Sequence, residues 1–442
     1  MAVPSPPLQA AFAGLEQELA ASWASRWPLP PELREYREAW RRTFPPGRGR
    51  RRGLGDLQTA AARAELLLAG DFHPLPRCRR RLARLLRDAP LPAPPLLLLE
   101  LWPEREPCPA AEALERMPAL LPGAPPPAGY RELLGALAAA GGRVAGPGLG
   151  EPGARRRDAG LVQAWEAWRG RGPVWILAGD WHLADAHLPR GLRAEGAWPL
   201  CLHQAPEPLW PGRGQRREEE ILELGGGHWA WIHSSPLELH AAALAGGAAA
   251  DPEEFEETLE GLAEDLAEGL ARALGLPRPE SRLAVLGPGA WEDFRALLAP
   301  ADRSLLQAPP ARPLVHPRLP LAWVPGRPSL AELTDAAAQV LALESGARAS
   351  TAARRAFRLL CAGLLDPFFR PGRAEGLLRD LGVRRGPRPP RESRTGPPEA
   401  LLAELRGRRL ASRLAARGPL EARELLALLQ AAARPSRRGQ AA

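Results

Sequence analysis

The chain has 442 residues, 45% of them hydrophobic, enough for two or three domains with a sizeable core. Its 59 basic and 51 acidic residues give a formal net charge of +8 at pH 7, but neither Lys nor Asn occurs; with 52 Pro and 44 Gly, the charge reads as a compositional bias towards Arg and not as a nucleic-acid footprint. The lack of Lys excludes P-loop, Schiff-base and pyridoxal chemistry, and Cys78, Cys108, Cys201 and Cys361 are too far apart to form a C-x-x-C zinc or redox motif.

The first residues show no early positive charge and no apolar leader core, and no stretch approaches eighteen uninterrupted apolar residues. The expectation is a cytoplasmic protein with no transmembrane segment. Residues 10–45 read as helix carrying Trp23, Trp27, Tyr36 and Trp40, followed by an Arg/Gly loop over 47–55. A helical stretch over 56–65 feeds an apolar run, 66–69, that ends in Gly70-Asp71-Phe72-His73. An Arg-rich helix over 76–88 precedes a Pro-flanked strand, Leu96–Leu99, closed by Glu100. Helix 130–140 leads through Gly141-Gly142 to a short strand near Val144, and a loop with Arg155, Arg156 and Arg157 opens helix 158–169, with Asp158 as its cap. A second apolar run, 174–178, ends in Gly179-Asp180-Trp181-His182, and 200–202 reads as a fifth strand ending at His203 and Gln204.

Beyond this point the pattern changes. Residues 228–233 alternate bulky and small groups, and Ser234-Ser235-Pro236 opens a helical region. Helix 251–274 has Asp251-Pro252 at its start and Phe255, Leu259, Leu262, Leu266 and Leu270 on one face. A strand over 283–286, helices over 329–344 and 352–365, a Pro/Arg linker over 384–400 and a last helical segment over 401–433 complete the reading. Short apolar strands alternating with helices predict an α/β fold, a mostly parallel sheet flanked by helices, with a mainly helical C-terminal extension. The expected organisation is a helical lead-in over 1–55, an α/β domain over 56–250, a helical and mixed region over 251–383, the linker, and a tail over 401–442.

The most informative feature is the repeat of one motif, G-D-x-H, after two apolar strands. In open α/β sheets ligands bind outside the carboxyl ends of the strands, which is where both motifs fall. Glycine is expected to let the backbone turn sharply there, so that Asp71, His73, Asp180 and His182 project into one crevice. His73 beside Glu100 suits a general base with its orienting carboxylate, Arg157 suits an oxyanion or acidic substrate group, and His182 suits a second proton donor. Alternatively His73, His182 and one or two of Glu100, Asp71 and Asp180 supply ligands for a divalent metal. Glu100 has an equally simple structural use in a cap or an Arg pair, as has Arg157 as a solvated charge. No G-x-S-x-G elbow accompanies His228, His233, Ser234 and Ser235, and no G-x-G-x-x-G opens the first helix, which argues against serine-hydrolase and dinucleotide sites.

Gly70 with His73, then Glu100, then Arg157-Asp158, then Gly179 with His182 and the Leu188-Pro189 segment, resembles the ChaN-like haem-binding uptake proteins, a family grouped with the Tiki/TraB proteins and the erythromycin esterases. The resemblance covers residues 60–205 well and 228–365 faintly, and the chain departs from it in carrying Asp71 where the family usually has Glu. It implies haem or a related small ligand held by His73, His182, Gly70 and Gly179 at the carboxyl edge of the sheet; in a tetrapyrrole site Trp102, Trp165, Trp168, Trp175 and Trp181 are the candidate apolar platform, and a homodimer is a separate possibility. The esterase branch implies instead a hydrolase that activates water through His73, Glu100 and His182, and the Tiki branch a bound divalent metal. A degenerate, non-catalytic member is the third possibility.

Overall fold

The structure is a computed structural model. It describes residues 8–365, apart from 27–28, 45–48, 121–128, 149–152, 205, 211–218, 248–250, 307, 311–312 and 346–350, and beyond these only 410, 411, 427 and 429. The expected linker over 384–400 and nearly all of the tail lie outside the described residues. Two compact units emerge, one of Trp27–Pro211 with Glu218–Leu239, the other of Met1–Arg26, Gly212–Arg217 and His240–Ala442.

The elements of the N-terminal half are α1 (Leu8–Ser25), α2 (Pro31–Thr43), β1 (Arg50–Arg52), α3 (Leu54–Arg63), β2 (Leu66–Asp71), α4 (Pro76–Asp88), β3 (Leu96–Leu99), β4 (Cys108–Pro109), α5 (Ala110–Leu120), α6 (Tyr130–Ala139), β5 (Arg143–Ala145), α7 (Ala154–Trp168), β6 (Val174–Gly179), α8 (Leu188–Ala194), β7 (Leu200–Gln204), β8 (Glu220–Gly225) and β9 (His228–Ile232). The single helix expected over 10–45 is therefore two helices, α1 ending at Ser25 and α2 opening at Pro31 after an extended Pro30, as suits proline at a helix start.

The nine strands form one sheet in the order β1-β8-β9-β7-β2-β6-β3-β5-β4. The six from β9 to β5 run parallel, and β8, β1 and β4 add antiparallel edges. The α/β fold with a mostly parallel sheet stands. The Arg-rich segment read as loop supplies edge strand β1, where Arg51 and Arg52 pair with Glu220 and Glu223 of β8.

The central strands are apolar on both faces because helices cover both. Leu67 and Ala69 of β2, Leu97 and Leu99 of β3, and Trp175 and Leu177 of β6 pack with Leu82, Leu85 and Leu86 of α4 and Leu133 and Leu137 of α6. The alternate residues Leu66, Leu68, Leu96, Leu98, Val174 and Ile176 pack with Leu161 and Trp165 of α7 and Leu188 and Leu192 of α8. Each fully buried leucine contributes about 2 kcal/mol of transfer free energy.

The chain runs from β2 outwards to β3 and β5, then returns to insert β6 between β2 and β3 before placing β7 on the far side of β2. The crevice at the carboxyl ends of β2 and β6 is thus a topological switch point. The two motif strands are direct neighbours, paired in register from Leu66 with Val174 to Asp71 with Gly179.

In the second unit, α9 (Pro236–Gly247) begins at the boundary and is followed by α10 (Pro252–Leu274), β10 (Ala284–Leu286), α11 (Trp291–Leu297), α12 (Pro300–Leu305), β11 (Leu314–Val315), β12 (Leu321–Trp323), α13 (Leu330–Glu344) and α14 (Thr351–Leu365). Asp251 caps α10 by accepting from Glu253 N, and Ser329 and Glu332 form a capping box on α13. Helix α1 belongs here, with Trp23 Nε1 donating to Asp265 of α10 at 2.7 Å. No described helix is long and apolar enough to cross a membrane.

Candidate functional site

Neither glycine of the repeated motif has a positive φ, so no turn requires them, and at Gly70 it is space that excludes a side chain. A Cβ on Gly70 would lie 2.6 Å from Asp180 Cγ and closer still to its Oδ1. A Cβ on Gly179 would intrude among His182, Glu100 Oε2 and His73 Nε2, at 3.3, 3.6 and 3.7 Å. The Gly179 N–H donates to Glu100 Oε2 at 2.7 Å.

Glu100, just past the end of β3, is the centre of the array. Its other oxygen accepts from Arg157 Nη1 at 2.6 Å. The Nε2 atoms of His73 and His182 lie 3.6 and 3.5 Å from its two oxygens. Each imidazole is held from behind by a second carboxylate: His73 Nδ1 donates to Asp71 at 3.0 Å, and His182 Nδ1 donates to Asp158 at 2.6 Å. The arrangement is two His–Asp dyads converging on one buried carboxylate. His73 and Arg157 reach solvent, with side chains 39% and 40% exposed, whereas Glu100 and His182 are enclosed at 1% and 7%.

The electrostatics follow from this pairing. Burial disfavours charge on His73, but its hydrogen bond to Asp71 and the nearby Asp71 and Glu100 carboxylates overcome it and raise the imidazole to about 10. Burial likewise opposes the charged form of His182, and Asp158 and Glu100 raise it above the ordinary value. Burial would raise Glu100, but the two imidazoles and the Gly179 N–H hold it well below the usual carboxylate range. The site is thus a buried carboxylate set between two imidazoles whose charged forms it favours.

His73, Glu100, Arg157 and His182 come together as the sequence suggested. Three further residues were missed. Arg79 of α4, 1% exposed, donates from Nη1 to both Asp71 oxygens, at 2.9 and 2.7 Å, and from Nη2 to the His73 carbonyl at 3.0 Å. Asp158 caps nothing: α7 starts four residues earlier, at Ala154, with Gly153 as its N-cap, and Asp158 faces inward to hold His182. Arg157 accordingly lies in the first turns of α7 and not in a loop. Tyr36 of α2 donates its hydroxyl to the second Asp158 oxygen at 2.8 Å. All three are polar residues in the apolar phase of an amphipathic helix. Arg79 shares a face with Leu82 and Leu86, Asp158 with Leu161 and Trp165, and Tyr36 with Ala39 and Trp40, and that phase was the available signal.

Asp180, in a 3-10 turn over Asp180–Leu183, stays out of the array. It accepts from Gln204 N at 3.3 Å and lies 3.7 Å from His203, and burial raises its pKa. Next to it Trp40 Nε1 donates to His203 Nδ1, His203 Nε2 to His228 Nδ1, and His228 Nε2 to Asp185, at 3.1, 3.0 and 3.1 Å. This order is satisfied with both rings neutral, and burial lowers His228 to about 4.

The donor set fits neither a metal nor a haem. Among the described residues no three His, Cys, Asp or Glu side chains converge as a metal-holding group. Asp71 is committed to Arg79, and Glu100 to Arg157 and Gly179. Both Nε2 atoms face the same carboxylate, leaving no open axial direction between them. Trp102, Trp165 and Trp175 are core residues and form no platform. Comparison with family models, with curated proteins and with solved structures found no match.

Proposed function

We propose that the protein is a hydrolase that activates water for attack on a carboxylic ester through the Asp71–His73, Glu100 and Asp158–His182 array, without a metal. The observation that supports this is the convergence of two carboxylate-oriented imidazoles on one buried carboxylate beside a solvent-reaching Arg157. The separations of 3.6 and 3.5 Å are longer than a formed hydrogen bond, so an incoming water or substrate oxygen can compete for each Nε2.

In the reaction, neutral His73 takes a proton from water at Nε2 while the water oxygen bonds to the ester carbon. The carbonyl oxygen becomes an oxyanion beside Arg157, and collapse breaks the ester C–O bond as the leaving oxygen takes the Nε2 proton of His182. Glu100 balances charge between the two rings, Asp71 and Asp158 fix their orientation, and Arg79 holds Asp71. His73 is the base because it is the imidazole that reaches solvent.

The test is turnover of a panel of carboxylic esters in heavy-oxygen water after dialysis against a chelator. Label in the acid product with no acylated protein is the expected result. A covalent acyl-protein would replace direct water attack with a nucleophile, and no turnover of any ester would sink the reading.

A further inference from the structure

Each dyad carboxylate has a different counter-group behind it. Asp71 is neutralised by a buried arginine, Arg79, whose Nη1 donates to both of its oxygens. Asp158 is met by a phenol, Tyr36, which donates without adding charge. We infer that Tyr36 is a positioning residue for the second imidazole: it fixes Asp158 so that His182 Nε2 points at Glu100 and the proton on His182 is retained. The inference rests on the hydrolase reading for its kinetic consequence only, since its structural part is readable without substrate.

The geometry is closed around the phenol. Its hydroxyl lies 2.8 Å from Asp158 Oδ2, while the other Asp158 oxygen takes His182 Nδ1 at 2.6 Å, so the carboxylate bridges the two rings. Tyr36 also packs edge-on to His182, centroids 5.2 Å apart, and stacks on His187 at 3.6 Å with 2° between the planes. The ring is thereby held on two sides. Burial and the Asp158 charge push the phenol up, so it remains a donor throughout the working range. Helix α2 brings Tyr36 against the turn that carries His182. The charged and titratable groups facing His182 are Asp158, Glu100 and, across Glu100, His73 and Arg157, with His187 behind Tyr36; Glu32 and Arg155 act on the phenol itself. Replacing Tyr36 by Phe keeps both ring contacts and removes only the hydrogen bond.

Without the hydroxyl, one Asp158 oxygen has no donor and the carboxylate can swing from His182. In Tyr36→Phe the far-downfield proton of the His182 Nδ1–H bond moves upfield, and the His182 titration midpoint falls towards that of an ordinary histidine while that of His73 stays in place. Kinetically, kcat falls about tenfold with KM unchanged, because orientation of a proton donor matters in the transition state. The experiment is nitrogen-15 NMR of histidine-labelled full-length protein, wild type and Tyr36→Phe, titrated with pH, beside ester turnover. A His182 signal and midpoint unchanged in Tyr36→Phe would overturn the inference. A shifted signal in a protein that hydrolyses no ester would support the positioning and sink the hydrolase reading instead.

Should Tyr36→Phe fail to fold, fluorotyrosine incorporation keeps the test open, since Tyr36 and Tyr130 are the two tyrosines of the chain. The fluorine signal of Tyr36 must then follow the titration of His182 in the otherwise native protein and lose that response in His182→Gln. A signal that ignores the titration contradicts the inference.

Discussion

Replacing Arg79 by Met tests the idea that the His73 dyad is built on a buried ion pair. Met fills much of the arginine stem's volume but supplies no donor. Three hydrogen bonds disappear, two to Asp71 and one to the His73 carbonyl, and Asp71, 2% exposed, retains His73 as its remaining charged partner. Breaking a buried pair from one side costs about 3–5 kcal/mol, most of it the penalty of the uncompensated charge. Losing the Arg79 stack over the Tyr130 ring, 4.7 Å from guanidinium to centroid, adds about 1 kcal/mol. Arg79→Met is therefore expected to lower stability by about 4–6 kcal/mol, read as the urea midpoint of the α/β unit. The double variant Asp71→Asn, Arg79→Met should recover at least half of that loss, since no charge is then stranded. A single-variant loss below about 1 kcal/mol, or a double variant no better than the single one, would refute the reasoning.

Gly70→Ala forces its Cβ into the Asp180 carboxylate and should cost about 1–3 kcal/mol in thermal unfolding, whereas Gly14→Ala, inside α1 with nothing within 4 Å, should stabilise by about 0.5–1 kcal/mol. Because His73 is raised from 6.5 to about 10 in the folded state, its contribution to stability is complete below about pH 6.5 and lost as pH rises towards about 10. Thermal unfolding should thus fall over that window more steeply in wild type than in His73→Gln, and parallel curves would count against the ion-paired His73. Glu100 is depressed, so its contribution is present above its ordinary value of 4.5 and lost as acid protonates it; Glu100→Gln should flatten the acid limb of the same curve. Ester turnover should rise with pH through neutrality as His73 deprotonates, and a rate that falls over that range would exclude His73 as the base.

How far the sequence exposed this site depends on where each residue sits. The strand-end residues were legible because a buried parallel strand is a continuous apolar run, and a polar residue just beyond it lies at the sheet's carboxyl edge. That logic found His73, Glu100 and His182, and the register of β2 with β6 explains why two copies of one motif serve one site. It also misassigned Asp180, because residues in a 3-10 turn do not alternate faces, and Asp180 turns towards Gly70 and Gln204. The helix-borne partners were hidden by a rule that is usually sound. An Asp near a probable helix start was read as a cap, while an Arg in an Arg-rich helix and a Tyr among tryptophans were given no role. Their place in the apolar phase was visible, but the pairing of Arg79 with Asp71 and of Asp158 with Tyr36 spans 8 and 122 residues and depends on the sheet being assembled. Edge strands β1 and β8 were missed for a related reason: Arg and Glu are poor strand signals alone and become one when they face each other across an antiparallel pair.

The most direct test of the central claim is the rate of ester hydrolysis by chelator-treated wild type, His73→Ala and His182→Ala, with metal and haem content measured on the same samples. The account predicts activity in metal-free, haem-free wild type and a loss of at least about 100-fold in each variant with the fold retained. Equal rates in all three proteins, or activity that returns only with added metal, would contradict it.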